Sequence, residues 1–290
     1  MLARVTSFGT DGMDGFAVTV EVNLSGGLPA FEIVGLPDAA VKEARERVRA
    51  ALSNSALQIP VAHVVVNLAP ANVRKMGSLY DLPIALALLA ASGQIKQEAM
   101  DGLMFLGELS LDGSLRAVCG ALPAALMARA QGYAGVILPE ANAGEVACVD
   151  RVPVYPALSL RAVMDHLTGR AKLAALSPLS YQALARKRRN AHDLRYVRGQ
   201  YAAKRALEIA AAGGHNLLMV GPPGSGKSML AQCLPGILPD MSFEEALEVT
   251  HIYSISGQLA PGSQMLTERP FRTPHHTASA SALIGGGRDA

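Results

Sequence analysis

Apolar and polar residues alternate along Ala17 to Leu24 (AVTVEVNL), and two further β-branched runs, Phe31 to Val34 and His63 to Leu68, are bounded by Gly or Pro. That period of two predicts strands. Between the second and third runs the period becomes helical: Val41, Ala44, Val48 and Ala51 share one face, while Lys42/Glu46 and Glu43/Arg47 stand four apart on the other. Asp38, just after Pro37, is placed to cap that helix. A second helix is expected to open at Pro83 and stop at Gly93. It shows no polar face, so it belongs inside the domain. Asp81 is expected to cap it, and Ser78 to serve as a cap or turn residue.

Leu103 to Cys119 carries Asp112-Gly113 between two apolar runs, a hairpin signal, and is followed by a helix to Gln131 and a strand at Gly135 to Leu138. Alternation of this kind through residue 168, without an internal repeat, predicts an α/β domain. Past Gly169 the pattern lapses. Residues 169–192 hold Pro178, several Ser and the run Arg186-Lys187-Arg188-Arg189, and read as a basic linker before a second domain at 193–290. The run suits either a solvated helix face or a phosphate-backbone track.

Half of the 290 residues are hydrophobic and 17% are charged. That composition excludes disorder. The net charge of +2 is too small to argue by itself for nucleic acid or an anionic membrane. Cys119, Cys148 and Cys233 are far apart and form no CxxC, which supports neither a disulfide framework nor a metal site and fits a reducing cytoplasm. His63 lies on a strand-like run with no second ligand at metal spacing, and reads as a core or edge histidine. The most apolar stretch, Leu79 to Ala91, contains Asp81 and Pro83, so neither a signal peptide nor a membrane span is expected.

The sharpest chemical signal is Gly221-Pro222-Pro223-Gly224-Ser225-Gly226-Lys227-Ser228, which fits GxxxxGK[ST] without a mismatch. A strand expected at 216–220 precedes it and a helix expected at 228–234 follows, the order a phosphate-binding loop requires. Glycines let backbone N–H groups turn around a phosphate at the helix N-terminus. In that scheme Lys227 reaches the β- and γ-phosphates of ATP, Ser228 is a ligand of Mg²⁺, and Met229 completes the nucleotide-contacting run. Upstream, Gln200 to Ala212 predicts a helix ending at Gly213-Gly214.

Around that loop, VRGQ (197–200), AKRALEIAAAGGHNLLMVGPPGSGKSMLA (203–231) and RPFRTPHHTASASALIGGG (269–287) resemble the magnesium-chelatase-like ComM/YifB family of AAA+ ATPases. FEIVGLPDAAVKEARERVRAAL (31–52) and VNLAPANVRKMGSLYDLPIAL (66–86) extend the resemblance over the whole chain. It implies a cytoplasmic, ring-forming ATPase, a hexamer at full length, with members acting as DNA branch-migration helicases in recombination and natural transformation. It also implies a first domain, 1–168, similar to the Lon-protease and ribosomal-protein S5 second-domain fold. The protease residues do not carry over. Asp81 stands nearest the place of the catalytic serine, Ser78 has no visible base, and the helix that should supply a lysine reads Cys119-Gly120-Ala121-Leu122-Pro123-Ala124-Ala125.

Two departures from the family pattern stand out. Tyr196 occupies a position that is usually acidic. A buried strand ending in Asp-Glu, the Walker B element that orders Mg²⁺ and the attacking water, does not occur between Ser228 and Ala290. The expectation is therefore an incomplete P-loop AAA+ α/β domain, truncated before that strand, the sensors and any arginine finger. Such a chain would bind ATP without hydrolysing it, would leave an unpaired sheet edge beside 216–220, and could draw its missing half from a second chain. Arg269, Arg272, His275 and His276 fall in an ordered loop that would face a ring pore and touch DNA, or would pack between subunits or bond to local carbonyls. The alternatives to a DNA motor are a metal-chelatase motor subunit and a non-catalytic interaction module.

Overall fold

The computed structural model describes residues 1–185, 192–275, 277–281 and 285. The chain divides into two compact units, 1–180 with 248–265 and 181–247 with 266–290. The α/β class expected from the sequence holds, and the first unit also takes in residues 248–265, which no sequence feature placed there.

In the first unit β1 (Leu2–Asp11) and β2 (Asp14–Ser25) form a long antiparallel hairpin, turning at Gly12 with φ 59°. β3 (Ala30–Val34), α1 (Ala39–Asn54), β4 (His63–Ala69) and α2 (Asp81–Ala91) follow. Next come β5 (Leu103–Phe105), β6 (Glu108–Leu109), β7 (Leu115–Arg116), α3 (Ala121–Gln131) and β8 (Gly135–Pro139). α4 (Ala143–Val146), β9 (Val154–Ala157) and α5 (Leu160–Leu167) complete the set. Seven strands make one mixed sheet in the order β3-β4-β2-β1-β5-β8-β9, antiparallel within β4-β2-β1 and parallel elsewhere.

Val18, Val20 and Val22 of β2 and Val64, Val66 and Leu68 of β4 alternate inward and meet the apolar face of α1 and all sides of α2. This is the alternation read from the sequence, converted into a core. α2 is buried along almost its whole length, as its missing polar face predicts. Asp38 caps α1 by accepting from Val41 N–H at 2.8 Å, and its other oxygen accepts from Gly77 N–H at 3.0 Å. Asp112-Gly113 does turn a hairpin, but only β6 and β7 form it, because β5 is drawn into the main sheet beside β1.

The second unit holds α6 (Tyr181–Ala185), α7 (Tyr201–Gly213), α8 (Lys227–Ile237) and the start of α9 (Phe243–Ile255), whose residues from Glu248 onward belong to the first unit. Val197, Leu207, Leu230 and Cys233 form its small core. The strand expected at 216–220 is not formed: the segment has no regular secondary structure, with Leu218 87% and Val220 89% exposed. A strand completes its hydrogen bonds only on a neighbour. Among the described residues this unit contains no other strand to pair with, whereas α7 and α8 close their own. The basic run at 186–189 lies outside the described residues.

Candidate nucleotide site

The phosphate-loop motif forms a tight turn between the irregular segment 216–220 and α8. Ser225 N–H donates to Pro222 O at 3.3 Å, and Gly224 and Gly226 take φ of 78° and 82°, a region glycine enters without steric cost. A Cβ at Gly221 would stand 3.2 Å from Ser225 Oγ, so the turn is also close-packed where it begins. Gly226 is the N-cap of α8 and no side chain caps the helix, which leaves its first N–H groups and the positive end of its dipole facing the loop. Such an end accepts a phosphate.

Lys227 Nζ folds back across the turn, donating to Gly221 O and Pro222 O at 2.8 Å each and to Ser225 Oγ at 3.2 Å. These neutral acceptors engage the ammonium within the turn. Ser228 follows in the first turn of α8, and Met229 is half-exposed beside it. An adjoining pocket of about 340 Å³ is lined by Gln200, Leu217, Val220, Ser225 and Lys227 among others, with no carboxylate in its wall among the described residues. Gln200 takes a left-handed φ of 53° before α7, and its amide donates to Ser225 O at 3.3 Å, tying the VRGQ segment to the loop. That role is invisible locally, since a glutamine ahead of a helix carries no signal of positive φ.

The second candidate cluster is brought together only in part. Arg269 spends its guanidinium on Pro239 O at 2.9 Å and on Glu245 at 3.1 and 3.3 Å, and this pairing with the Ser242 N–H bond lowers the Glu245 pKa. Arg272 and Phe271 are exposed. His275 Nδ1 meets Thr277 Oγ1 at 2.7 Å, and His275 O accepts from Ala278 N–H, a local turn. His276 lies outside the described residues.

The protease-like positions of the first unit rearrange two expectations. Ser78 is not without a base: its hydroxyl donates to Glu108, thirty residues on and carried by β6. Asp81 does not cap α2. It is fully buried, accepts from Arg47 at 2.6 and 2.9 Å, and accepts from Leu109 N–H at 3.1 Å. Burial holds its carboxyl above the ordinary range even with Arg47 in contact. Arg47 thus pairs with Asp81 at 2.6 Å and also with Glu43 at 3.6 Å, the partner four residues away that the sequence offered. Lys75 is buried with its ammonium on the carbonyls of Pro70 and Val73, the latter at 2.8 Å, and burial lowers its pKa. It pins its own loop. His63 faces Glu32 across the sheet at 3.6 Å, and among the described residues no group of side chains could hold a metal ion.

Residues 20–142 match the family described as subunit ChlI of Mg-chelatase, and residues 193–290 match the magnesium chelatase, subunit ChlI, family. The chain is 46% identical to the YifB protein of Escherichia coli K12 over 276 residues, 95% of this chain and 53% of that protein. It is 44% identical to the competence protein ComM of Haemophilus influenzae over 287 residues, 99% of this chain and 56% of that protein. An uncharacterized Mycobacterium tuberculosis protein is 43% identical over 286 residues, again covering 99% of this chain and 56% of its own length. The chain thus spans about half the length of the curated relatives it matches. With matches to both units and these identities along nearly the whole sequence, the chain belongs to the magnesium-chelatase-like family that includes YifB and ComM.

Proposed function

We propose that residues 221–229 bind Mg·ATP and that the chain is the nucleotide-binding part of an AAA+ motor that assembles as a ring and acts on DNA. The observation that carries the reading is the uncapped α8 N-terminus facing a turn whose Lys227 ammonium is parked on neutral loop acceptors. Loop N–H groups would hold the β-phosphate, Lys227 would swing from its carbonyls to the β- and γ-phosphates, and Ser228 would face Mg²⁺. When bound, the nucleotide supplies a transferable γ-phosphoryl group. Among the described residues no carboxylate lines the pocket to orient an attacking water, so binding without turnover is the expected behaviour of this chain. The name of the Haemophilus relative, a competence protein, favours DNA as the macromolecule. The chelatase description of residues 20–142 favours a metal-chelatase motor as the second reading.

Thermal unfolding of the 290-residue chain with and without Mg·ATP tests the site. Nucleotide at a hundredfold excess over its Kd adds ~2.7 kcal/mol, a rise in Tm of at least about 4 °C for a chain of this size. Lys227→Ala should abolish the rise, and phosphate release should stay at background. No rise, or an equal rise in Lys227→Ala, would sink the nucleotide site. Binding of duplex or branched DNA to the same chain, absent for a chelatase motor, separates the two motor readings.

A further inference from the structure

β3 forms one margin of the seven-stranded sheet. It pairs with β4 along Ala30–Val34, and among the described residues no segment pairs with its other side. The opposite margin is covered, since Leu176 N–H donates to Val154 O of β9 at 2.8 Å. A bare edge presents unpaired N–H and C=O groups, and proteins usually guard it with charge, proline or a bulge. β3 reads AFEIV, without proline, and its one charge, Glu32, lies toward His63 of β4 at 3.6 Å. Val34 and Leu36 are 44% and 54% exposed along it.

A groove runs between that edge and α1. It consists of two hollows of about 370 and 360 Å³ that share Phe31 and Arg45. Arg45 and Arg49 line the first beside residues 29–31, and Lys42 and Arg45 line the second beside residues 31–34, so the basic row follows the edge in the opposite chain direction. All three are exposed. Arg45 reaches Glu46 at 2.8 Å, whereas neither Lys42 nor Arg49 has an ion pair among the described residues. From Lys42 to Arg49 the helix rises ~10 Å. Acidic residues at i, i+2 and i+4 of an added strand span ~13 Å, a comparable length. Phe31 and Ile33 pack on the core side, where α1 also lies, so alternate side chains of such a strand would meet the row. A nucleic acid would satisfy the row but not the main-chain groups of the edge, and two copies joined edge to edge would bring two basic rows together. We propose that the β3 edge and the α1 row form a docking groove for an extended acidic peptide segment of a partner protein, added as a further strand with its carboxylates turned to Lys42, Arg45 and Arg49. Main-chain hydrogen bonds supply the binding and the carboxylates the selectivity.

Fluorescence anisotropy on the whole 290-residue chain tests this with a labelled peptide alternating Glu and Val as the probe. A Lys/Val peptide and a fully N-methylated Glu/Val peptide are the controls. The probe should bind at least about tenfold tighter than either, because like charges repel the first and the second offers the edge no N–H donor. With the probe bound, hydrogen exchange should slow at the amides of residues 30–34. Arg45→Glu combined with Arg49→Glu, both at exposed positions, should invert the order of the Glu/Val and Lys/Val peptides, and the peptide comparison itself needs no variant. No binding at about 1 mM probe, equal affinity for the Glu/Val and Lys/Val peptides, undiminished binding of the N-methylated peptide, or unchanged exchange at 30–34 overturns the proposal. Displacement of the probe by an equal concentration of duplex DNA would make the row a nucleic-acid surface. Exchange at 30–34 that slows with chain concentration alone would make a second copy the occupant, and either result also overturns it.

Discussion

Arg47→Met is a perturbation whose cost can be worked from the contacts. Methionine keeps most of the aliphatic packing of the arginine stem and deletes the guanidinium. Asp81, fully buried, would then keep only the bond from Leu109 N–H at 3.1 Å, having lost two from Arg47 at 2.6 and 2.9 Å. Removing one partner of a buried ion pair costs ~3–5 kcal/mol because the other charge is stranded. Asp81→Asn removes that charge and keeps one oxygen, which can still accept from Arg47 Nε and Leu109 N–H while its NH2 group faces the Arg47 Nη2 donor, so its cost is that of hydrogen bonds lost rather than of a stranded charge, about 1–3 kcal/mol. The double variant should then resemble Asp81→Asn rather than the sum of the two.

The pH dependence has a definite sign. The two partners shift in the same direction: Asp81 holds the guanidinium up, yet the Asp81 carboxyl is itself raised, because burial outweighs the arginine's attraction. A carboxyl raised in the folded state binds its proton more tightly there than in the unfolded chain. The penalty is absent below the unfolded carboxyl pKa, about 3.9, and stability is lost as pH rises from there through the folded value. Without Arg47 the folded value climbs further, so the Arg47→Met deficit should be small near about pH 4 and reach full size only at higher pH. Urea unfolding across that range measures it. A deficit below about 1 kcal/mol, one that does not change with pH, or Asp81→Asn costing more than Arg47→Met would refute the reasoning.

Three further outcomes follow from particular contacts. At Gly35, φ is 100° and a Cβ would stand 2.2 Å from the backbone oxygen of Leu68, whereas at Gly132, φ is 72° with nothing within 4 Å. Gly132→Ala should therefore cost about 1 kcal/mol of backbone strain and Gly35→Ala clearly more, and equal losses in thermal denaturation would count against the difference. Asp38→Ala removes the α1 cap and the bond to Gly77 N–H together, so it should cost about 2 kcal/mol, above the ~1 kcal/mol of an ordinary cap, by urea unfolding. If the 269–277 loop meets DNA, Arg272→Ala should weaken binding across sequences and lower the salt slope by about 1. An unchanged salt slope in Arg272→Ala would remove that arginine from the DNA contact.

Much of the first unit was legible along the chain. The inward valines of β2 and β4, the amphipathic α1 with its Asp38 cap and the wholly apolar α2 follow from spacing alone, because each depends on residues a few positions apart. β1 was missed although it is the longest partner of β2. Its serine, threonine and glycine positions blur the alternation, and it becomes a strand by lying along β2 over its full length. α5 was missed too, although Ser159 accepting from Ala162 N–H at 3.2 Å is a local cap that sequence could have flagged. The strand expected at 216–220 failed for the opposite reason. Its apolar residues suit a ladder, but pairing is a property of two segments, and no second segment is present among the described residues of that unit.

The loop 221–228 was readable because every part of its chemistry, the glycines, the lysine and the helix start, is contiguous. Sequence by itself thus determined the α/β class, the turn and helix start at 221–228, the Asp38 cap of α1 and the burial of α2. Tertiary structure alone decided which distant polar groups meet: Ser78 with Glu108, Arg47 with Asp81, and Asn142 with Val118. The physical reason is range. Backbone propensity and periodicity act over a few residues, whereas a buried charge finds its partner through the packing of elements tens of residues apart, which no local pattern encodes.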